Sequence, residues 1–467
     1  MQLLNKQDEA RRRQITTGNL WKTILILSIP LAIYETFNYL YAFIDLWLIS
    51  GINTNFVTSV IFIDELRLAV TAFGGSIAAA GSVIVAKHFG SNDIDLAKRS
   101  AAQAILLAVI VSFGIVLVMV SFGTIILQFF GATPEIIDSG LSYYNIQMIT
   151  TGLVAFNSVF IGIEKAKGNT KIILYANIIV MAIKLILSAV WVKVFGGGLF
   201  ELSLSSMLAQ LMLTFIGVYI LLFYKKNSLK LNLSSFKIEN SFMKEIFILA
   251  IPVFLGKFLF NMGKVFINGI ALMYHYYVVA ALGISGKIFG FFASVANVFH
   301  ETEMAVISQN IGYRRLDRAI KSFYIAITYA AVVSVVGLII SWFIKDSMLN
   351  LLGNFDSEQR YVILEIYNYE QFSLVFSALI SAISGLFIGF KKTKVVFWIN
   401  IIRVVFLRLP VLWLMYTFLP GKNFRDVGFV MFFSNSLTTI IAGIIAIRFI
   451  YTLKTYGYQD LNYLKIE

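Results

Sequence analysis

After Lys171 the chain runs IILYANIIVMAIKLILSAVWV, a stretch broken by one charge, and runs of this kind recur along its whole length. A helix needs about 20 such residues to cross roughly 30 Å of hydrocarbon. In lipid only helices and closed barrels satisfy their own backbone groups, and unbroken runs exclude a barrel's alternating pattern. Charged residues make up 13% of the 467 positions and hydrophobic residues 59%. A soluble chain carries about a quarter charged residues to cover its surface. The sequence therefore predicts an all-α membrane protein. Its twelve expected spans are 20–49, 55–87, 100–130, 141–164, 171–194 and 200–224, then 244–272, 277–309, 319–352, 362–388, 394–417 and 427–452.

The opening segment MQLLNKQDEARRRQITTGNL is polar and amphipathic, without the apolar core or cleavage site of a signal peptide. With no cysteine, disulfides and thiolate metal sites are excluded. A net charge of +13 could point to nucleic acid, but its placement argues against that. Basic residues gather in alternate connections, at Arg11–Arg13, Lys87–Arg99, Lys165–Lys171, Lys225–Lys244, Arg314–Lys321 and Lys391–Lys394. The connections SGINTNF, GATPEIIDSG and MYHYY contain neither Lys nor Arg. This is the positive-inside pattern, and it expects both termini in the cytoplasm of a multi-pass cell-membrane protein.

The two halves repeat one another. Pro30 in ILSIPLAIYETF matches Pro252 in ILAIPVFLGKFL at a spacing of 222 (252 − 30). At that spacing Gly90, Asp95 and Ala97 fall on Gly312, Asp317 and Ala319, and Gly131 on Gly353. Asn177-Ile178-Ile179 falls on Asn400-Ile401-Ile402 one residue later, at 223 (400 − 177). A six-helix unit has been duplicated, and an even number of spans makes the repeats parallel. The expected organisation is a cytoplasmic amphipathic N-terminus (1–19), an N-terminal six-helix lobe (20–224), a cytoplasmic linker (225–243), a C-terminal lobe (244–452) and a cytoplasmic C-terminus (453–467). Transporters of such build bind substrate near mid-membrane between the repeats.

Ionisable residues inside the spans are the functional candidates, because each costs at least about 2.5–3.5 kcal/mol to insert. Glu35, Asn38 and Asp45 share one face of the first span. Asp45 reads either as a coupling-ion carboxylate or as a helix-end acid near the outer interface; Glu35 reads as an ion or substrate contact or a structural ion pair. Asp64 and Arg67 read as a local ion pair. His300, Glu301 and Glu303 replace the AAAG of the first copy, and His300 with Glu303 is the better-placed pair for a proton relay. Lys184, Lys257, Lys264, Lys287, Arg403 and Arg408 also lie inside spans. Lys257 occupies the repeat position of Glu35 (257 − 35 = 222). Asn38, Tyr41, Lys184, Lys257, His300, Glu303 and Arg408 are the expected cavity residues, the cavity more acidic on the N-terminal side and more basic on the C-terminal side. Such a cavity suits a zwitterionic or anionic amphiphile.

Three stretches carry a resemblance: IPLAIYETFNYLYAFID ending in Asp45, the connection VAKHFGSNDIDLAKRSAAQAI, and SGLFIGFKKTK with its counterpart IGIEKAKGNTK. They resemble the multidrug and toxic compound extrusion (MATE) family, within the superfamily of multidrug and lipid-linked oligosaccharide exporters. The resemblance implies two six-helix lobes forming a V and export of organic compounds against inward proton or sodium flow. It also implies a role for Asp45 in cation coupling and in bending of the first helix. The sequence departs from the family at Ser188, where many members keep an acid. It departs again after Pro252, where Lys257 and Lys264 stand in place of a carboxylate, and at Ala378. Sodium coupling through the C-terminal lobe is thereby weakened, and a proton is the expected coupling ion.

No Gly-rich phosphate loop, metal-spaced His pair or nucleotide-binding domain marks an enzyme, and no cofactor is expected. The expected partners of this monomer are a small amphiphilic substrate and the lipid bilayer, with no nucleic acid. The reading is an exporter working by alternating access. A flippase for a lipid-linked or anionic amphiphile is the alternative, and a channel or membrane scaffold the third.

Overall fold

A computed structural model describes residues 4–50, 54–353, 355–419 and 423–457. Every regular element among them is helical. In chain order these are α1 (Lys6–Thr17), α2 (Leu20–Ser50), α3 (Thr54–Gly90), α4 (Ile94–Ser121), α5 (Gly123–Phe129), α6 (Pro134–Ala166), α7 (Thr170–Ala189) and α8 (Leu199–Val218). They continue as α9 (Asn240–Leu272), α10 (Tyr276–Gly312), α11 (Leu316–Leu352), α12 (Ser357–Glu370), α13 (Ser373–Gly389), α14 (Thr393–Ile401), α15 (Leu409–Phe418) and α16 (Arg425–Tyr456). Among the described residues, eleven helices are long and apolar enough to cross a membrane, and the bent pair α12–α13, taken as one span, brings the count to twelve.

Among the described residues, three spans contain π-helical turns. Those built on α7 and α8 close with π-helical turns, Val190–Val194 and Tyr219–Phe223. Between α14 and α15 the π-helical stretch runs over Ile402–Arg408. The tenth span, expected as one helix over 362–388, is instead bent by 49° between α12 and α13. At the bend the Ser373 hydroxyl donates to the Glu370 carbonyl at 2.5 Å, and Leu374 N–H turns to Gln371 O at 3.1 Å. Such a back-bond competes with the helical ladder at the break.

The duplication is visible in the backbone. Asn92 and Arg314, 222 positions apart (314 − 92), both adopt positive φ, at 65° and 59°. Asp93 N then bonds to His88 O at 3.0 Å, as Arg315 N bonds to Asn310 O at 2.8 Å. The second pair is Gly168 and Lys391, at φ 77° and 61°, with Asn169 N on Glu164 O (2.8 Å) and Lys392 N on Phe387 O (2.7 Å). These are the closing bonds of left-handed helix caps.

The chain clusters into two compact units, Met1–Arg12 with Ile29–Asn261, and Arg13–Ser28 with Met262–Glu467. Two stretches thus fall outside the 20–224 and 244–452 division, one in α1–α2 and one in α9. Their packing explains this. Ile15, Leu20, Ile24 and Leu27 are buried among Ala296, Phe299, Val306 and Ile325 of the second unit. In the first unit Phe254 packs edge-on against Phe73, and the Arg99 guanidinium lies 5.8 Å from the Phe242 ring. The linker is fastened there too: Gln103 donates to Lys237 O (2.8 Å) and accepts from Glu239 N (3.1 Å). The Arg99 guanidinium pairs with Glu239 and holds its carboxyl below the ordinary value.

Candidate functional site

The first unit gathers ionisable groups late in α2. Asp45 forms an ion pair with Lys184 of α7, whose side chain is buried. The sequence expected these two as a coupling-ion residue and a cavity cation; the fold makes them direct partners. Asp64 and Arg67 of α3 pair at 2.9 Å, and the Tyr143 hydroxyl reaches Asp64 Oδ1 at 3.4 Å. That local pair is as expected, but it also lies within electrostatic reach of Asp45 and Lys184. Two acids and two cations therefore balance one another within the first unit.

Glu35 and Asn38 are half-buried earlier on α2, Glu35 within reach of Tyr39. The side chain of Tyr41 lies outside the described residues. Lys257 is exposed and belongs to the part of α9 that clusters with the first unit. Ser188, where the resemblance implies an acid, is buried and bonds to Ser205 of α8 at 2.7 Å. Asn157 of α6 donates to Gln210 Oε1 (2.8 Å) and accepts from Thr214 (3.0 Å), a part-buried polar network between α6 and α8 that the apolar pattern concealed.

The second unit holds two further groups. Glu303 of α10 is fully buried, and His300 stands beside it. Both look toward Gly385 of α13, where an added Cβ would lie 3.0 Å from His300 Nδ1 and 3.1 Å from Glu303 Oε2. Glycine there provides the space that the two side chains occupy. Glu301 is only partly buried.

The other group is cationic. Arg408 is buried at the end of the π-helical stretch, its Nε donating to Ser434 Oγ at 3.0 Å and its Nη2 to Asn435 Oδ1 at 3.4 Å. Arg403 approaches the same Asn435 oxygen at 3.5 Å and Asn400 Oδ1 at 3.4 Å. Glu370, at the end of α12, accepts a hydrogen bond from Ser285 of α10 and lies within electrostatic reach of Arg408 and Lys264. Glu370 was missed in the sequence, although the rule that singled out Glu35 applies equally to an acid inside the tenth span.

The profile of the MatE family matches residues 30–190 and again 252–414, one match in each repeat. The multidrug export protein MepA of Staphylococcus haemolyticus (strain JCSC1435) is 22% identical over 354 residues, covering 72% of this chain and 76% of that protein. Among solved structures, a MOP superfamily transporter from Pyrococcus furiosus Vc1, described as having a binding pocket of reverse polarity, superposes with a TM-score of 0.91. It is 17% identical and covers 97% of this chain and 100% of its own. An outward-facing multidrug resistance MATE family transporter superposes at 0.87, with 17% identity over 97% of this chain and 100% of its own. Members of this family are transporters rather than enzymes. Matched once in each repeat by the same profile, the chain belongs to the MatE family of multi-pass membrane transporters.

Proposed function

We propose that the protein exports amphiphilic organic compounds by alternating access, driven by the inward flow of protons. Both termini lie in the cytoplasm in this reading, with the basic connections on the same side. The observation that carries it is the Asp45–Lys184 pair. A carboxylate facing an ammonium has two stable conditions: charged and paired, or protonated and released. Binding a proton to Asp45 removes the charge that holds Lys184 and frees α2 from α7. Losing the proton restores the pair. Such a switch couples helix position to proton occupancy, which is what alternating access requires. Sodium fits less well, because a hard cation needs a cage of oxygen ligands and Lys184 already brings a positive charge to the Asp45 carboxylate. The export of drugs by relatives such as the multidrug export protein MepA supports the substrate class. The cations of the second unit favour a second reading, movement of an anionic or lipid-linked amphiphile.

The test uses proteoliposomes with an imposed pH or sodium gradient and a fluorescent amphiphile. The pH gradient is expected to drive uptake and the sodium gradient to have no effect. Asp45→Asn should lower gradient-driven transport by about tenfold or more, the scale of losing a charged contact of about 1.5–3 kcal/mol, while substrate binding persists. Coupled transport unchanged in Asp45→Asn would remove the assignment.

A further inference from the structure

We propose that the second unit contains a binding site for an anionic headgroup, a carboxylate, phosphate or sulfate carried on an apolar tail, formed by Arg403, Arg408 and Lys264. The proposal rests on the transport reading above and assigns the charge of the substrate and the place where it binds.

The π-helical stretch Ile402–Arg408 creates the site. In an α-helix, residues five apart diverge by about 140°, at about 100° per residue. A π-helix bonds i to i+5 and stacks such residues, and single π turns occur often at functional sites. Arg403 and Arg408 therefore converge, and both reach the one amide oxygen of Asn435. Two guanidinium groups, neither of which can lose its proton, share one neutral amide oxygen, with Ser434 and Asn400 as further neutral acceptors.

A third cation, Lys264 of α9, lies within electrostatic reach of Glu370, as Arg408 does. Gly263 meets Val404 so closely that an added Cβ would collide with Val404 Cγ1. Lys264 and Arg403 are the chain neighbours of these two residues. Lys264 is exposed, Arg403 half-buried and Arg408 buried, a gradient along which an incoming anion exchanges water for guanidinium contacts. Against these three cations stands the carboxylate of Glu370, within electrostatic reach of Arg408 and Lys264, which also accepts a hydrogen bond from Ser285. The long contacts to Asn435 leave the planar forks able to turn toward a better acceptor.

The break between α12 and α13 falls directly after Glu370. Interrupted spans mark binding sites in transporters, because they open polar backbone at membrane depth. A π-helical turn, a broken span and converging cations meet within one unit. The corresponding first-unit helices, α2 and α7, instead oppose an acid to a cation.

The test uses the full-length protein in nanodiscs of neutral phosphatidylcholine. Binding of decyl phosphate, decanol and decyltrimethylammonium, alike in tail and different in head, is compared by calorimetry. The phosphate is expected to bind the wild-type protein at least about tenfold more tightly than the other two, as charge-assisted contacts dictate. Arg403→Gln and Arg408→Gln should each remove about tenfold of that preference, and Arg408→Lys should restore part of it. If Arg408→Gln fails to fold, the half-buried Arg403 and the wild-type headgroup series still decide. Equal binding of the three heads, or a preference for the ammonium, would overturn the site. In proteoliposomes, decyl phosphate bound but not moved, by protein that does move a cationic dye, would identify a resident lipid and overturn the substrate assignment. Failure of a pH gradient to move any probe would sink the transport reading instead, while the binding series still reports on the site.

Discussion

Glu303 is fully buried, and neither of its carboxyl oxygens has a hydrogen-bond partner among the described residues. An unsatisfied buried polar group costs about 1–3 kcal/mol, so a carboxyl retained here is held for something other than stability. Glu303→Met, of similar size and apolar, should therefore raise the melting temperature of the purified protein while lowering gradient-driven transport. A lower melting temperature would show that the carboxyl holds helices together, and the functional assignment would fail. The identity of this residue as a candidate was readable from its position inside a span. Its lack of partners was not, because that depends on Gly385 of α13, 82 positions away (385 − 303). Asp45 and Lys184 were likewise visible as charges in apolar runs, but 139 positions (184 − 45) separate them, and no local pattern records their pairing.

Whole elements were more legible than their irregularities. Span positions follow from the length of the apolar runs, which is a property of each segment alone. The π-helical stretch and the bend after Glu370 leave almost no trace, since π and α turns take the same apolar residues. Pro410 is the one cue, a residue without an N–H that stands two positions after Arg408. Turns behave differently, because a left-handed conformation selects its residue. Gly168 and Lys391 occupy equivalent caps at φ 77° and 61°. An L side chain costs about 1–2 kcal/mol in that region, and glycine does not. Gly168→Ala should then lower the unfolding free energy by about 1 kcal/mol, while Lys391→Gly should leave stability equal or slightly higher. Thermal unfolding of both variants in one detergent checks the contrast. Equal losses in the two would show that packing, not backbone conformation, governs these turns.

At the scale of the molecule, the repeat in the sequence and the grouping in space differ in an instructive way. The duplication was legible because one register persists through the chain, and the matching helix caps carry it into the backbone. The exchange of segments was not, since it depends on which partner a helix finds. Residues 13–28 complete the core of the second unit, where Ser28 bonds to Thr302 at 2.9 Å. Arg318 donates there to Ile15 O (3.1 Å) and Gly18 O (2.8 Å). Residues 240–261 complete the first unit through Phe242 and Phe254. Inside lipid the gain on association comes from close packing and hydrogen bonds rather than from water release, so a missing segment is not replaced by lipid at equal free energy. Loss of the Arg318 contacts alone removes charged hydrogen bonds of about 1.5–3 kcal/mol each. Fragments 1–232 and 233–467 should therefore aggregate when expressed singly, and co-purify as a functional pair when expressed together. Size-exclusion profiles and pull-down through a tag on one fragment read this out. If either fragment alone ran as a single species with a cooperative unfolding transition, the exchanged segments would be dispensable and each repeat would be a self-sufficient fold.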